Sequence, residues 1–501
     1  MISTRSLTPD ELYRAARFED CLRETDGIDT DEAHIARART YLHTNRYAEA
    51  VAEAGRVVAT TGDLAATSGA VRCRALSGLK EWQTVDAWLS TASLSYGEIS
   101  AVGRAEIALA AIVTAMHRGR PDDMELASRD IDAESAGPRY FAWKQHCLGW
   151  AAACRSDYAR AAEHFQRAAE AMLTAPAEAD VILLARAAVA LTGISREMFS
   201  ARRFEFVIKL VAEIQWTSAT KDLEFMAKRS VAWGYALHGS ARVANRMIFE
   251  LGDDVHSTRI RPWLIADQAY FAGATGCQDL AEPLLERAIA VARETSWESG
   301  GEERIALLNV VLLAGGRRHE ATRALLDLYD AISTPLSNNQ VLAHDRRLGA
   351  MEDHARGVAF AAVENIREAT PLLMRAYSTF AEIGFSWRAA SVCLALHATT
   401  GDANWLSKAE EAVAEFPASA IAREIRRRAC GAADPRLASL SPAQRRVFEL
   451  LCAGKSNKEI SFALTITVNT ARNHVAAVLS RFDARSRGHL VAIARESGLL
   501  T

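Results

Sequence analysis

The chain has 501 residues, of which 50% are hydrophobic and 24% charged. That balance excludes a disordered or collagen-like polymer and supplies roughly three domains' worth of core. The formal charge is −3 but unevenly spread: residues 437–501 carry nine Lys or Arg against four acids, and 421–436 five against two. A polyanion contact is therefore expected at the C-terminal end alone.

The N-terminal stretch has no apolar segment behind Arg5 and carries acids early, so no secretory signal is expected. The longer apolar runs, such as Ile107 to Met116 and Ala306 to Ala314, fall short of the roughly 20 residues of a membrane span. The expectation is a cytoplasmic protein with no membrane partner. Cys21, Cys73, Cys147, Cys154, Cys277, Cys393, Cys430 and Cys452 are scattered without a CxxC pair. They read as reduced, mostly buried small hydrophobes rather than a disulfide framework or zinc site.

Before residue 430 the apolar periodicity is helical and Ala-rich, with no strand-like alternation. The octet AAEHFQRA at 161–168 recurs as AEPLLERA at 281–288 and ATPLLMRA at 369–376. The separations are close to whole multiples of a unit of about 40 residues. Gly149 with Ala161, and Gly357 with Ala369, would let two antiparallel helices approach closely. Phe165 and Leu373 are expected to fill the gap between neighbouring pairs. The pattern resembles the tetratricopeptide repeat, with similar units at Ala38, Tyr41, Tyr47 and Ala50 and at Gly78, Trp82 and Val85. Drifted versions fall near Ala127, Val207, Ala244, Ala321 and Ala409, and about ten helix pairs would fill residues 31–416. Stacked pairs of this kind form a solenoid whose concave groove takes up a peptide, a protein or a small molecule. Trp143 and Trp150, at helical spacing, read as core.

Past an Arg-rich connector at 419–436, Ser441-Pro442-Ala443-Gln444 opens a helix with a Ser N-cap, Pro at its first position and a Gln that completes a capping box. Gly454 stops it. Ser456-Asn457-Lys458-Glu459 is a second capping box, leading a helix of two to three turns. Thr465-Ile466-Thr467 then forms a tight turn before a longer helix, Val468 to Phe482. Ala471, Val475, Val478 and Phe482 share one stripe of that helix, and Asn469, Arg472, Asn473, Ala476 and Ser480 the opposite one. A short helix, a tight turn and a longer helix with a polar outer face make a helix-turn-helix, whose second helix enters the major groove. Arg472 can fork onto guanine, Asn473 can pair with the adenine edge, and Ala476 permits close approach or touches a thymine methyl. Asn457, Lys458, Asn469 and Thr470, at helix starts, are the candidate phosphate contacts.

The run from Leu440 to Ala494 resembles the LuxR-type (NarL/FixJ-like) DNA-binding domain over its whole four-helix length. GKSNKEI, the segment Thr470 to Val475, and Ser486-Arg487 before a last helix carry the likeness. Ala471 stands where that family usually has Val, and Asp483 where it often has Gly. The resemblance implies a transcription regulator that binds double-stranded DNA as a homodimer and activates through contact with RNA polymerase, although repression by occlusion would use the same DNA contacts. The last helix, about Arg487 to Ser497, would join the dimer contact through Leu490, Val491 and Ala494.

Gly454-Lys455-Ser456 mimics the end of a phosphate-binding loop, but Glu449 stands where that loop needs Gly. His319-Glu320 lacks a second metal ligand, and no HExxH or GxSxG occurs. No cofactor and no catalytic residue is expected. The fold class expected is all-α: an irregular tetratricopeptide-like α-solenoid at 1–418 and a four-helix helix-turn-helix domain at 437–501. The function expected is ligand- or partner-controlled, sequence-specific DNA binding. Its rival is an interaction scaffold with only non-specific DNA attachment.

Overall fold

The computed structural model describes residues 7–198, 200–252, 261–274, 278–295, 301–314, 319–333, 345–430, 435–464, 466–496 and 499. The described residues are helical and hold no strand. From Asp31 to Ala412 they form ten successive helix pairs. These are Asp31–His43 with Tyr47–Ala54, Gly62–Gly78 with Trp82–Ser95, Ala101–His117 with Pro121–Ser128, Pro138–Cys154 with Tyr158–Thr174, and Val181–Met198 with Ala201–Glu213. There follow Lys221–Leu237 with Ala241–Gly252, Arg261–Ala274 with Gln278–Glu294, Gly301–Ala314 with His319–Ser333, Arg346–Ala362 with Ile366–Glu382, and Ser386–Thr400 with Asn404–Ala412. No described helix is long and apolar enough to cross a membrane.

One turn recurs and accounts for the pairing. The second residue past the end of a helix takes a left-handed conformation, and the next N–H reaches back to the carbonyl five residues earlier. Examples are Asp157 to Ala152 at 3.0 Å and Asn365 to Phe360 at 3.0 Å. This is a Schellman-type stop, and the following helix starts at once, so the chain reverses within three residues. Gly119 and Gly239 occupy the left-handed position in two turns, but Asn45, Lys80, Ser156 and Glu364 occupy it elsewhere.

Small residues set the helix spacing as expected, with one correction. The Phe165 ring lies directly on Gly149, where an added Cβ would come within 2.7 Å, and Leu373 lies on Gly357 in the same way. Both fill the seam inside their own pair, because the missing Cβ leaves room there for a large side chain. Aromatic rings bridge successive pairs elsewhere, Tyr47 on Gly78 and Phe204 on Gly234. Trp143 is buried, but Trp150 is 40% exposed and its Nε1 donates to His146 Nε2 at 3.1 Å. Cys21, Cys73, Cys147 and Cys393 are free and buried, Cys154 is free and half-buried, and Cys452 is half-buried. Cys277 lies outside the described residues, as does the side chain of Cys430.

The array is not an open channel along its whole length. Tyr158 packs on Phe385 with ring centroids 4.6 Å apart, and buried Arg388 donates to Glu197 at 2.8 Å. The pairs near 158–198 therefore touch those near 385–400. At the other end the N-terminal helices Pro9–Arg14 and Phe18–Thr25 cross the array, where Leu12, Tyr13 and Phe18 bury against Ala36 and Ile182. Arg14 donates to the Ala177 carbonyl at 3.0 Å, and Thr217 to that of Ala16 at 3.1 Å.

The Arg-rich stretch splits in two. In the helix Ala420–Cys430, Ile421, Ala422 and Ile425 bury among Trp387, Leu406 and Phe416 of the array, and Arg428 donates to the Leu394 carbonyl at 2.7 Å. Beyond residues 431–434, Leu440 belongs to the core of the following four helices and Leu437 packs against it. Arg436 sits 5.1 Å above the Phe482 ring.

Candidate nucleic-acid interface

The C-terminal helices are Pro442–Cys452, Asn457–Ala463, Val468–Arg481 and Arg487–Glu496. Local chemistry starts each one. Ser441 and Gln444 form a capping box, with Gln444 Oε1 accepting from Ser441 N at 3.0 Å and Ser441 Oγ accepting from Gln444 N at 3.3 Å. Ser456 and Glu459 repeat the device, Glu459 Oε2 accepting from Ser456 N at 2.8 Å. These backbone and side-chain bonds from Ser456, with Lys455 Nζ at 3.2 Å, pull the Glu459 carboxyl down to about 2. Thr467 caps the third helix by accepting from Thr470 N at 3.1 Å, and Ser486 caps the fourth by accepting from His489 N at 3.1 Å.

The third helix divides as its sequence requires. Ala471, Val475, Val478 and Phe482 enter a core completed by Val447, Phe448, Leu451 and Ile460, with the Phe448 and Phe482 rings stacked at 4.9 Å. Asn469, Arg472, Asn473, Ala476 and Ser480 are all exposed. The stripe is thus presented outward by a helix whose opposite side is locked in place. Lys458 is exposed near the start of the preceding helix. Thr470 is half-buried, its hydroxyl 2.8 Å from that of Thr467.

Four features depart from the sequence reading or escaped it. Asn457 is half-buried, and its Oδ1 accepts from Arg487, whose guanidinium also donates to the Lys455 carbonyl at 2.7 Å. Asn457 therefore ties the last helix to the second, and only its amide N–H groups remain for a phosphate. Leu490 and Ala494 are 0% exposed: they face the domain's own core and have no surface to offer a second copy. Val491 is half-buried, while His489 and Ala492 are exposed on the same helix. Asp483 is left-handed at φ 49°, the conformation that explains a Gly preference at that place. Phe462, at 89% exposed, stands out on the second helix beside exposed Ala463, and no sequence signal marked its ring as outward.

Asn457–Ala463 and Val468–Arg481, the second with a polar outer face, follow one another at the spacing of a helix-turn-helix; Thr465, between them, lies outside the described residues. Residues 438–494 match the bacterial regulatory proteins, luxR family. The transcriptional regulatory protein FixJ of Bradyrhizobium diazoefficiens is 42% identical over 65 residues, 13% of this chain and 32% of the relative. The putative HTH-type transcriptional regulator YhjB of Escherichia coli K12 is 41% identical over 51 residues, 10% of this chain and 26% of the relative. The chain thus spans about a third or less of the length of these curated relatives. Over 86% of this chain and 96% of the other, the structure is similar to a crystal structure of yeast Tom70, with 13% identity and a TM-score of 0.28.

Proposed function

We propose that the chain is a sequence-specific, DNA-binding transcription regulator: residues 437–501 read the DNA, residues 1–418 sense a ligand or partner, and 419–436 connect them. The observation that carries this reading is the outward stripe Asn469, Arg472, Asn473, Ala476 on a helix whose inner stripe is buried. In the major groove Arg472 and Asn473 meet base edges and Ala476 lets the backbone come close. Lys458, Asn469, Thr470 and the Asn457 amide hold phosphates and fix register. A dimer on a twofold operator pairs through the exposed side of the last helix, His489 and Ala492 with the edge of Val491, rather than through Leu490 and Ala494. RNA polymerase is the further partner in this reading, the compartment is the cytoplasm, and no catalytic step is assigned.

Control follows if the array has two conformations that leave the DNA-reading domains differently free to pair. A ligand shifts that balance only by binding one conformation more tightly. The test compares a promoter fragment with random DNA at two salt concentrations. Arg472→Ala is expected to lower discrimination, at a cost of about 1–3 kcal/mol on the cognate site. Lys458→Ala is expected to weaken binding to all DNA alike and to flatten the salt dependence. Equal affinity of the unaltered protein for both DNAs at both salts would leave only the non-specific scaffold.

A further inference from the structure

The first helices of five successive pairs each contribute a charged residue to one buried cluster: Arg39, Arg74, Glu106, Arg139 and Arg186, roughly one repeat apart. These helices pack side by side, so the residues line one wall. Glu106 is fully used, accepting from Arg39 at 2.6 Å, Arg74 at 3.0 Å and the Tyr140 hydroxyl at 2.9 Å. Buried Asp180 takes Arg139 at 3.3 Å, and half-exposed Asp10 reaches Arg39 at 3.1 Å from the rim. Arg186, half-buried, has neither hydrogen bond nor ion pair among the described residues; its neighbours in charge are Tyr13, Asp180, Tyr47 and Arg74.

Cation therefore exceeds anion: four guanidinium groups face two buried carboxylates and one at the edge. A donor is left over as well, since Arg74 Nε is buried with no hydrogen-bond partner; buried His43 Nε2 has none either. Burial and the surrounding arginines, Arg186 foremost, hold His43 neutral. Uncompensated buried charge and unmet donors are costly. The Tyr13 ring, brought by the N-terminal helix, lies in the middle, 5.8 Å from the Arg39 guanidinium carbon, 5.9 Å from that of Arg139 and 5.5 Å from the His43 ring.

We propose that this cluster is a binding site for a small oxyanion-bearing ligand, a carboxylate or a phosphate, held by Arg186 and Arg74 beneath Tyr13. The geometry suits that chemistry, because guanidinium groups take such anions through paired N–H donors. One anion would supply the missing charge and take up the idle Arg74 Nε. The proposal deepens the sensing role given above to residues 1–418 and rests on it only for the consequence on DNA, not for binding itself. The Pro9–Arg14 helix closes the site, so it must lift for the ligand to enter.

The test titrates the full chain, without DNA, with inorganic phosphate and separately with citrate at constant ionic strength, by calorimetry and thermal shift. Saturable binding to at least one is expected, and which one identifies the class. Arg186→Gln is expected to weaken it about tenfold or more, the loss of a charged hydrogen-bond donor. That variant should fold, since Arg186 makes no bond in the free protein, and circular dichroism checks that it does. Arg46→Gln, a surface change, should bind as the unaltered protein does. No saturable binding of either anion, or unchanged binding in a folded Arg186→Gln, overturns the proposal. So does binding that survives Arg186→Gln but is lost in Arg472→Ala, which puts the anion on the DNA-reading face. Anion binding without any effect on promoter affinity leaves the site standing and removes the sensing role. Sequence-specific DNA binding without anion binding does the reverse.

Discussion

Arg388 and Glu197, 191 residues apart in sequence, form a buried ion pair at 2.8 Å that joins the fifth and tenth helix pairs. Arg196 also donates to Glu197 at 2.7 Å, and Arg388 to Asn309 at 3.1 Å. Removing one partner strands a buried charge, so Arg388→Ala is expected to destabilise the array by about 3–5 kcal/mol. Replacing Arg388 and Glu197 together by Met leaves buried Arg196 without its carboxylate and should recover only part of the loss. Urea unfolding of the single and double variants checks both; equal losses would mean that the pair itself holds the closure.

Acid should weaken the array in two stages. His146 and His354 are buried and brought down to about 3 by desolvation. The unfolded chain therefore takes up their protons first, and stability falls as pH drops from the ordinary 6.5 toward 3. Glu106 and Glu197 stand at about 2: burial alone would raise them, but Arg39 and Arg74, and Arg388 and Arg196, outweigh it. Their contribution is present above the ordinary 4.5 and is lost as pH falls through about 2. Each His withdraws on the order of 2 kcal/mol by pH 4.5. Thermal melts across this range should show the decline, and His354→Gln should flatten its upper part.

Glu364 and Asp483 hold left-handed backbone at φ 59° and 49°, and both side chains are exposed. Such residues carry a cost of about 1–2 kcal/mol that Gly avoids. Glu364→Gly should stabilise the array, and Asp483→Gly the C-terminal domain, by about 1 kcal/mol after the entropy of the unfolded Gly is set against the gain. Melting of each variant decides, and destabilisation by either would show that the left-handed turn is not strained there.

Gly149 is the reverse case, helical and open only to the Phe165 ring. Gly149→Ala should cost about 1–3 kcal/mol by forcing the ring away, and Phe165→Leu in the same chain should recover part of it. Denaturant midpoints of the two variants provide the check.

The C-terminal domain was legible because its information is local. Ser441 with Gln444 and Ser456 with Glu459 announce helix starts, and one helix carries its buried and exposed stripes at a fixed period. The fourth helix was harder: Leu490, Val491, Ile493 and Ala494 spread apolar character around a short helix, so periodicity does not say which side is inward. In the array, Gly149 and Ala161 revealed a close approach, but not that Phe165 closes its own pair. The Arg388–Glu197 closure and the Arg39, Arg74, Arg139 and Arg186 cluster left no local trace. Each is assembled from single residues one or more repeats apart, and only the stacking of helices brings them together.

Whether the helix bearing Arg472 and Asn473 reads base pairs is decided by selecting binding sites for the purified full chain from a random DNA pool. Enrichment of a defined motif is expected, with two half-sites if the protein pairs on DNA, and loss of that motif's dominant base preference in Arg472→Ala. A pool that stays random through successive rounds, while the protein still retains DNA at low salt, would contradict base reading by that helix.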